Sequence, residues 1–234
     1  MRPSLLQLEP SPRERITVDF LPGARPAFVW LHAFGGARVG EHSSALFEHA
    51  AATGRAAARF DFRGHGDSTG TIGATTLKDL VADTRSVLAA TGPAILVGHS
   101  LGGLVAALAA AEFPTLVKAL VLLAPSLGYR HVLRRCIGPD GLLRTLDGRA
   151  FTVRPETLAD ADAIDEARLP HRLPMPVLVV HGANDPIIDP AASRAFTAAI
   201  PHAHKDHLLW PGADHRLSGA LLPALAHFER HLRA

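Results

Sequence analysis

The stretch Gly98-His99-Ser100-Leu101-Gly102-Gly103 decides the fold of this chain. It follows a short apolar run, Ala94–Val97, and opens a segment, Ser100–Glu112, that reads as a helix ended by Pro114. G-x-S-x-G recurs by chance, but a strand that passes through it into a helix is the setting of a nucleophile elbow. There the serine occupies a sharp, strained turn so that its Oγ projects above the sheet. The neighbours two residues away crowd the backbone, and only small residues fit. The N–H groups of the following helix also favour negative charge on an oxygen reacting beside Ser100.

Outward from this turn the chain alternates short apolar runs with amphipathic segments. Ala27–His32, Ala56–Phe62, Ala94–Gly98, Lys118–Ala124 and Met175–His181 read as buried strands, Lys205–Trp210 as the last strand, and Ile16–Leu21 as an edge strand. Helices are expected over Glu41–Thr53, Thr75–Thr91, Ser100–Glu112, Pro190–Ile200 and Leu217–Leu232. In Thr75–Thr91 the residues Leu77, Leu80, Val81, Thr84, Val87 and Leu88 share one face. This rhythm implies βαβ units, a mostly parallel central sheet and flanking helices in a single α/β domain spanning residues 1–234. The segment 126–170 breaks the rhythm. It is Arg-rich and then acidic, with Asp147-Gly148 marking a hairpin between Leu142–Leu146 and Arg149–Val153, and a short helix over Pro155–Arg168. It is expected to be a short lid inserted over the sheet's edge.

A serine nucleophile needs a base and an acid that orients it. His181-Gly182-Ala183-Asn184-Asp185-Pro186 ends the penultimate strand, and Trp210-Pro211-Gly212-Ala213-Asp214-His215 ends the last. Ser100, Asp185 and His215 therefore occur in the order Ser…Asp…His, each just after a strand's C-terminus, where open α/β sheets place their sites. Asp189 is an alternative acid, and Asp214 adjoins the base. Two backbone donors are needed for an oxyanion. Leu101 N–H, next after the nucleophile, is one, and Phe34 N–H, from the loop His32-Ala33-Phe34-Gly35-Gly36, is the other.

These pieces resemble the α/β-hydrolases over about 27–232. The resemblance is carried by HAFGG (32–36), FDFRGHGDS (60–68), GHSLGG (98–103), VVHGANDPI (179–187) and PGADH (211–215). The spacing of LDGRAFTVRPETLADA is similar to the short lid of small esterase-like and acyl-thioesterase-like members, in which a hairpin and helix replace a large cap. The resemblance implies the same triad and oxyanion roles. The chain departs from the family in having Ala33 where a Gly usually follows the His. Serine rather than aspartate at the elbow separates it from the dehalogenases and epoxide hydrolases of that family.

Composition sets the remaining bounds. Twenty-four Lys+Arg against 22 Asp+Glu give a net charge of +2, which offers little grip on nucleic acid. One cysteine, Cys136, excludes an intramolecular disulfide framework and a Cys-rich zinc site. Cys136 reads as a packing residue. No apolar run is long enough for a signal peptide or a membrane span, so a cytoplasmic protein without membrane insertion is expected. Fourteen histidines are many. His32, His65, His99 and His181 are expected to satisfy buried loop groups beside the site. His202, His204 and His207 are spaced so that they do not share one face, so no metal site is expected.

The lid carries Arg130, Arg134, Arg135, Arg144, Arg149 and Arg154. They either grip an anionic coenzyme or carrier ester, or pair with Glu156, Asp160, Asp162, Asp165 and Glu166; pairing is favoured. Leu133, Ile137, Leu142 and Phe151 are the candidate walls of an acyl pocket. The sequence thus points to a serine hydrolase of small or medium acyl esters, needing no cofactor or metal and taking a small-molecule ester or thioester as its partner. An acyl-thioester hydrolase is the alternative, and a non-catalytic ligand-binding protein on the same scaffold is the alternative of another class. Oligomeric state is not readable from the sequence.

Overall fold

The computed structural model of the chain describes residues 3–145 and 148–232. Eight strands form one sheet in the order β1-β2-β4-β3-β5-β6-β9-β10. They are β1 (Ser4–Ser11), β2 (Glu14–Leu21), β3 (Ala24–Leu31), β4 (Arg55–Phe60), β5 (Ala94–His99), β6 (Val117–Leu123), β9 (Val177–Gly182) and β10 (Lys205–Trp210). The pairs β1–β2 and β2–β4 are antiparallel. Every other pair, from β4–β3 through β9–β10, is parallel. This is the α/β-hydrolase fold: a mostly parallel sheet with helices against both faces.

Strand alternation divides the core in two. Val29, Leu31, Leu96, Leu120, Leu122, Val177 and Val179 pack on one face with α2 (Leu77–Thr91) and α3 (Leu101–Glu112). Phe28, Trp30, Ile95, Val97, Val121, Leu178 and Val180 pack on the other with α1 (Glu41–Ala52) and α7 (Leu221–His231). Both faces are therefore dry. This is why the central strands are continuous apolar runs rather than alternating ones. α2 begins with a reciprocal cap, Thr76 Oγ1 accepting from Asp79 N and Asp79 Oδ2 from Thr76 N. α6 (Pro190–Ala199) begins at Asp189, whose Oδ1 accepts from Ala191 N at 2.8 Å.

Three expectations are corrected. Ile16–Leu21 is not an edge strand: β1 pairs along it and is itself the edge. The last helix begins at Leu221 rather than Leu217, because Leu217 has φ near 50° and turns the chain back before the helix starts. The helix expected over Pro155–Arg168 is α5 (Pro155–Asp162) and stops well short of Arg168.

Between β6 and β9 the chain forms α4 (Tyr129–Arg135), β7 (Leu142–Arg144), β8 (Ala150–Thr152) and α5. β7 and β8 pair antiparallel across the expected hairpin; Leu146 and Asp147 of its turn lie outside the described residues. Among the described residues no helix is long and apolar enough to cross a membrane.

Candidate active site

The site forms where β3, β5, β6, β9 and β10 end on the same edge of the sheet. Ser100 has φ 54° and ψ −117°, a strained backbone for a residue with a side chain. Close packing holds it there. A Cβ on Gly98 would stand 2.4 Å from Gly102 O, and one on Gly102 would stand 2.1 Å from Leu31 O. Strand, turn and helix can approach this closely only with glycine at both positions.

Ser100 Oγ lies 2.9 Å from His215 Nε2, and His215 Nδ1 lies 2.7 Å from Asp185 Oδ2. All three side chains are buried. Asp185 Oδ1 accepts from Ile187 N at 2.8 Å and Ile188 N at 3.0 Å, and Oδ2 also meets His181 Nε2 at 3.0 Å. Burial, the largest single influence, opposes ionisation of Asp185. The hydrogen bonds from His181, His215, Ile188 and Ile187 outweigh it and hold the carboxyl well below the ordinary carboxylate range. A carboxylate with four donors stays ionised and fixes the His215 tautomer with its proton on Nδ1. That leaves Nε2 free to accept from Ser100. Asp189, the alternative acid, caps α6 and does not reach His215. Asp214 Oδ1 accepts from Arg216 N at 2.9 Å.

Ser126, three residues beyond the end of β6, was not singled out as a site residue from the sequence. Its Oγ is 3.1 Å from Ser100 Oγ, and its N–H donates to Ser100 O at 3.0 Å. With the Ser100 proton directed at His215, the Ser126 hydroxyl is the donor of that pair. Nothing in the residue pattern marks it, because only the parallel register of β5 and β6 brings it to Ser100.

Phe34 and Leu101 line the same cavity as Ser100. Among the described residues neither backbone N–H meets an acceptor. The glycine loop that carries Phe34 is braced from two sides: Gly35 N donates to His65 Nε2 at 3.2 Å, and Arg149 reaches Gly35 O. His65 in turn sits in a turn around Asp61, whose carboxylate accepts from Arg38 N at 2.6 Å and Asp67 N at 3.0 Å.

The four loop histidines all have partners. Phe62 N donates to His32 Nε2 at 3.1 Å, and His99 Nε2 donates to His215 O at 2.8 Å. Burial lowers His32 to about 4 and both His65 and His99 to about 3, so all three are neutral. His202 Nδ1 accepts from His204 N, while His207 turns to Ser193 Oγ at 2.8 Å. Among the described residues no group of three His, Cys, Asp or Glu could hold a metal.

The cavity at Ser100 is about 120 Å³ and mostly apolar. Leu133 lines it, as the sequence suggested, but Ile137, Leu142 and Phe151 do not. Instead Ile137 bridges to Leu143, and Phe151 packs against the large core cluster. Tyr129, Val132, Cys136, Ile187 and Arg216 take those places. Burial raises the Cys136 thiol, as expected of a packing residue rather than a nucleophile. Three arginines of segment 126–170 are engaged: Arg134 pairs with Asp162, Arg144 with Asp140, and Arg135 with Ile187 O. Glu166 accepts from Gly128 N and Tyr129 N instead of pairing with an arginine.

Comparison with known proteins agrees with this fold. The family described as alpha/beta hydrolase fold matches residues 26–158, more than half of the chain, and serine aminopeptidase S33 matches residues 151–219. The chain is 25% identical over 212 residues to palmitoyl-protein thioesterase ABHD10 of Bos taurus, covering 84% of this chain and 69% of that protein. It is 29% identical over 180 residues to lysophosphatidylserine lipase ABHD12 of Rattus norvegicus, covering 73% of this chain but only 44% of that relative's length. Among solved structures it is similar to Est1E of Butyrivibrio proteoclasticus with ferulic acid bound. That match has a TM-score of 0.83 and 25% identity, over 96% of this chain and 97% of the other.

Proposed function

The chain belongs to the α/β-hydrolase family, and on that premise we propose that it is a serine hydrolase of small or medium carboxylic esters. One observation carries the reading: the unbroken relay from Ser100 Oγ through His215 to Asp185, at 2.9 and 2.7 Å. His215 Nε2 takes the Ser100 proton as Oγ attacks the ester carbonyl. Phe34 and Leu101 N–H groups hold the resulting oxyanion. The imidazolium then protonates the leaving alcohol, and an acyl-enzyme remains on Ser100. Water deprotonated by the same imidazole releases the acid, and Asp185 stabilises the charged ring in both halves. Ser126 donates to Ser100 Oγ and keeps that oxygen's own proton turned toward the base.

The small apolar cavity favours a short or medium acyl group. Segment 126–170 acts as the short lid that supplies its outer wall through Tyr129, Val132, Leu133 and Cys136. Thioester hydrolysis uses the same machinery with a sulfur leaving group. It is the second reading, supported by the ABHD10 relative's name. The pairing of Arg134 and Arg144 with lid carboxylates lessens the case for an anionic carrier ester. A purely ligand-binding role has no use for a base aligned on a strained serine.

Turnover of p-nitrophenyl acetate and butyrate tests the reading. Wild-type protein is expected to cleave at least one of them, and Ser100→Ala to lose that activity. Matched oxygen esters and thioesters compared by kcat/KM separate the two leaving-group classes. A wild-type protein that turns over neither class contradicts the proposal.

A further inference from the structure

We infer that Tyr129 determines acyl specificity: its hydroxyl donates a hydrogen bond to an oxygen on the substrate's acyl group, so that acyl groups bearing a hydroxyl, alkoxy or keto oxygen are preferred. This deepens, and rests on, the ester-hydrolase reading above.

Tyr129 is the only tyrosine of the chain. It opens α4 and is 8% exposed. It borders the Ser100 cavity and also a smaller, adjoining space, with Phe34, Leu101 and Leu133 common to both. Buried tyrosine hydroxyls ordinarily find a hydrogen-bond partner, because an unmade bond costs the full desolvation of the group. Among the described residues the Tyr129 hydroxyl has none. Nor is it sealed off by protein: the fully enclosed unpartnered side-chain atoms do not include it. Its shared neighbours Phe34, Leu101 and Leu133 offer no side-chain acceptor. The polar side chains nearer the reaction, Ser100, Ser126 and His215, are engaged with one another.

The smaller space is also lined by His65, Thr75 and Thr157, but these bond to backbone groups of Gly35 and Arg63, Thr71, and Gly73. The phenol is therefore a donor whose partner is left to whatever fills the cavity. Burial, with smaller effects from Cys136 and Asp160, pushes its ionisation upward, so it stays protonated and presents a proton rather than a charge. Such a group discriminates more sharply than added apolar contact. A ligand without the matching oxygen leaves the buried donor unpaired, whereas one methylene more or less changes affinity only modestly.

The experiment uses pairs of p-nitrophenyl esters that differ by one oxygen far enough from the carbonyl to leave its reactivity unchanged. Suitable pairs are 3-phenylpropanoate with 3-(4-hydroxyphenyl)propanoate, and pentanoate with 4-oxopentanoate. In wild-type protein at least one oxygen-bearing ester is expected to exceed its partner in kcat/KM by roughly tenfold or more, and Tyr129→Phe to bring that ratio close to one. Equal values across the pairs, or a preference that Tyr129→Phe leaves in place, overturn the assignment and mean that the hydroxyl is merely hydrated. Binding of pentanoic and 4-oxopentanoic acids, which carry no phenol of their own, to Ser100→Ala is read in parallel from the Raman doublet of the single tyrosine, which reports its hydrogen bonding. A doublet that changes only with the oxo acid, in a protein whose wild type cleaves no ester, upholds the role of Tyr129 and overturns the hydrolase reading. Turnover with no oxygen preference and no change in the doublet does the reverse.

Discussion

His99 Nε2 lies 2.8 Å from the backbone carbonyl oxygen of His215, so the residue preceding Ser100 holds the loop that carries His215. One residue on, His42 Nε2 stands 2.8 Å from Arg216 O. The two rings pack 5.4 Å apart, edge to face. Successive carbonyls of the His215 loop are thus clamped by side chains from two elements, β5 and α1.

The clamp makes His42 a positioning residue. His42→Leu is expected to lower kcat about tenfold or more with a smaller change in KM, since a displaced base loses near-attack geometry. His42→Gln, which can still donate, is expected to recover most of the loss. Steady-state kinetics of the two variants are the check, and an unaltered kcat in His42→Leu would contradict the clamp.

Asp185 and Asp189 are separable by mutation. Asp185→Asn removes the acceptor that fixes the His215 tautomer, and a loss of about 10³- to 10⁴-fold in kcat is expected. Asp189→Asn touches only the start of α6. Asparagine caps helices about as well as aspartate, so its effect is expected to stay within about 1 kcal/mol of stability, with little loss of rate. A larger kinetic loss in Asp189→Asn would reverse the assignment.

Acid should destabilise the fold well before its carboxylates protonate. His32, His65 and His99 are buried and neutral, lowered to about 4, 3 and 3 by burial. Below the unfolded value near 6.5 the unfolded chain binds protons that the folded chain refuses. Stability from these groups is therefore complete above about pH 6.5 and is lost as pH falls toward about 4. Each contributes up to about 1.4 kcal/mol per pH unit in that window. Urea midpoints between pH 7 and pH 4.5 measure it. His32→Asn is expected to flatten the slope, and a midpoint independent of pH there would show that these rings are not held neutral.

Glycine is needed at the elbow for space as well as for backbone freedom. Gly102→Ala would set a methyl 2.1 Å from Leu31 O and is expected to cost more than about 3 kcal/mol or to prevent folding. Gly40, before α1, has open space around it and an extended backbone, so Gly40→Ala is expected to cost less than about 1 kcal/mol. Thermal unfolding of the two variants makes the comparison.

The parallel core was legible in the sequence because strands buried on both faces are continuous apolar runs, as in Ala94–Val97 and Val177–Val180. Residues placed by strand ends were equally legible, since Ser100, Asp185 and His215 each follow a strand by only a few positions. β1 was not, because an exposed edge strand alternates polar and half-buried residues and carries Pro10. The cavity wall was harder still. Leu133 faces Ser100 while Ile137 and Leu142 do not, and that choice is made by how α4 and the β7–β8 hairpin dock, which no local pattern encodes. The partnership of Ser126 with Ser100 likewise depends on register between strands rather than on either residue's neighbours.

The most direct test is to treat the protein with a fluorophosphonate and locate the adduct by mass spectrometry. A serine aligned with His215 and Asp185 should carry one phosphonyl group on Ser100, formed rapidly in wild type, far more slowly in His215→Ala, and absent in Ser100→Ala. An unlabelled wild-type protein, or an adduct on any other residue, would contradict the assignment of Ser100 as the nucleophile.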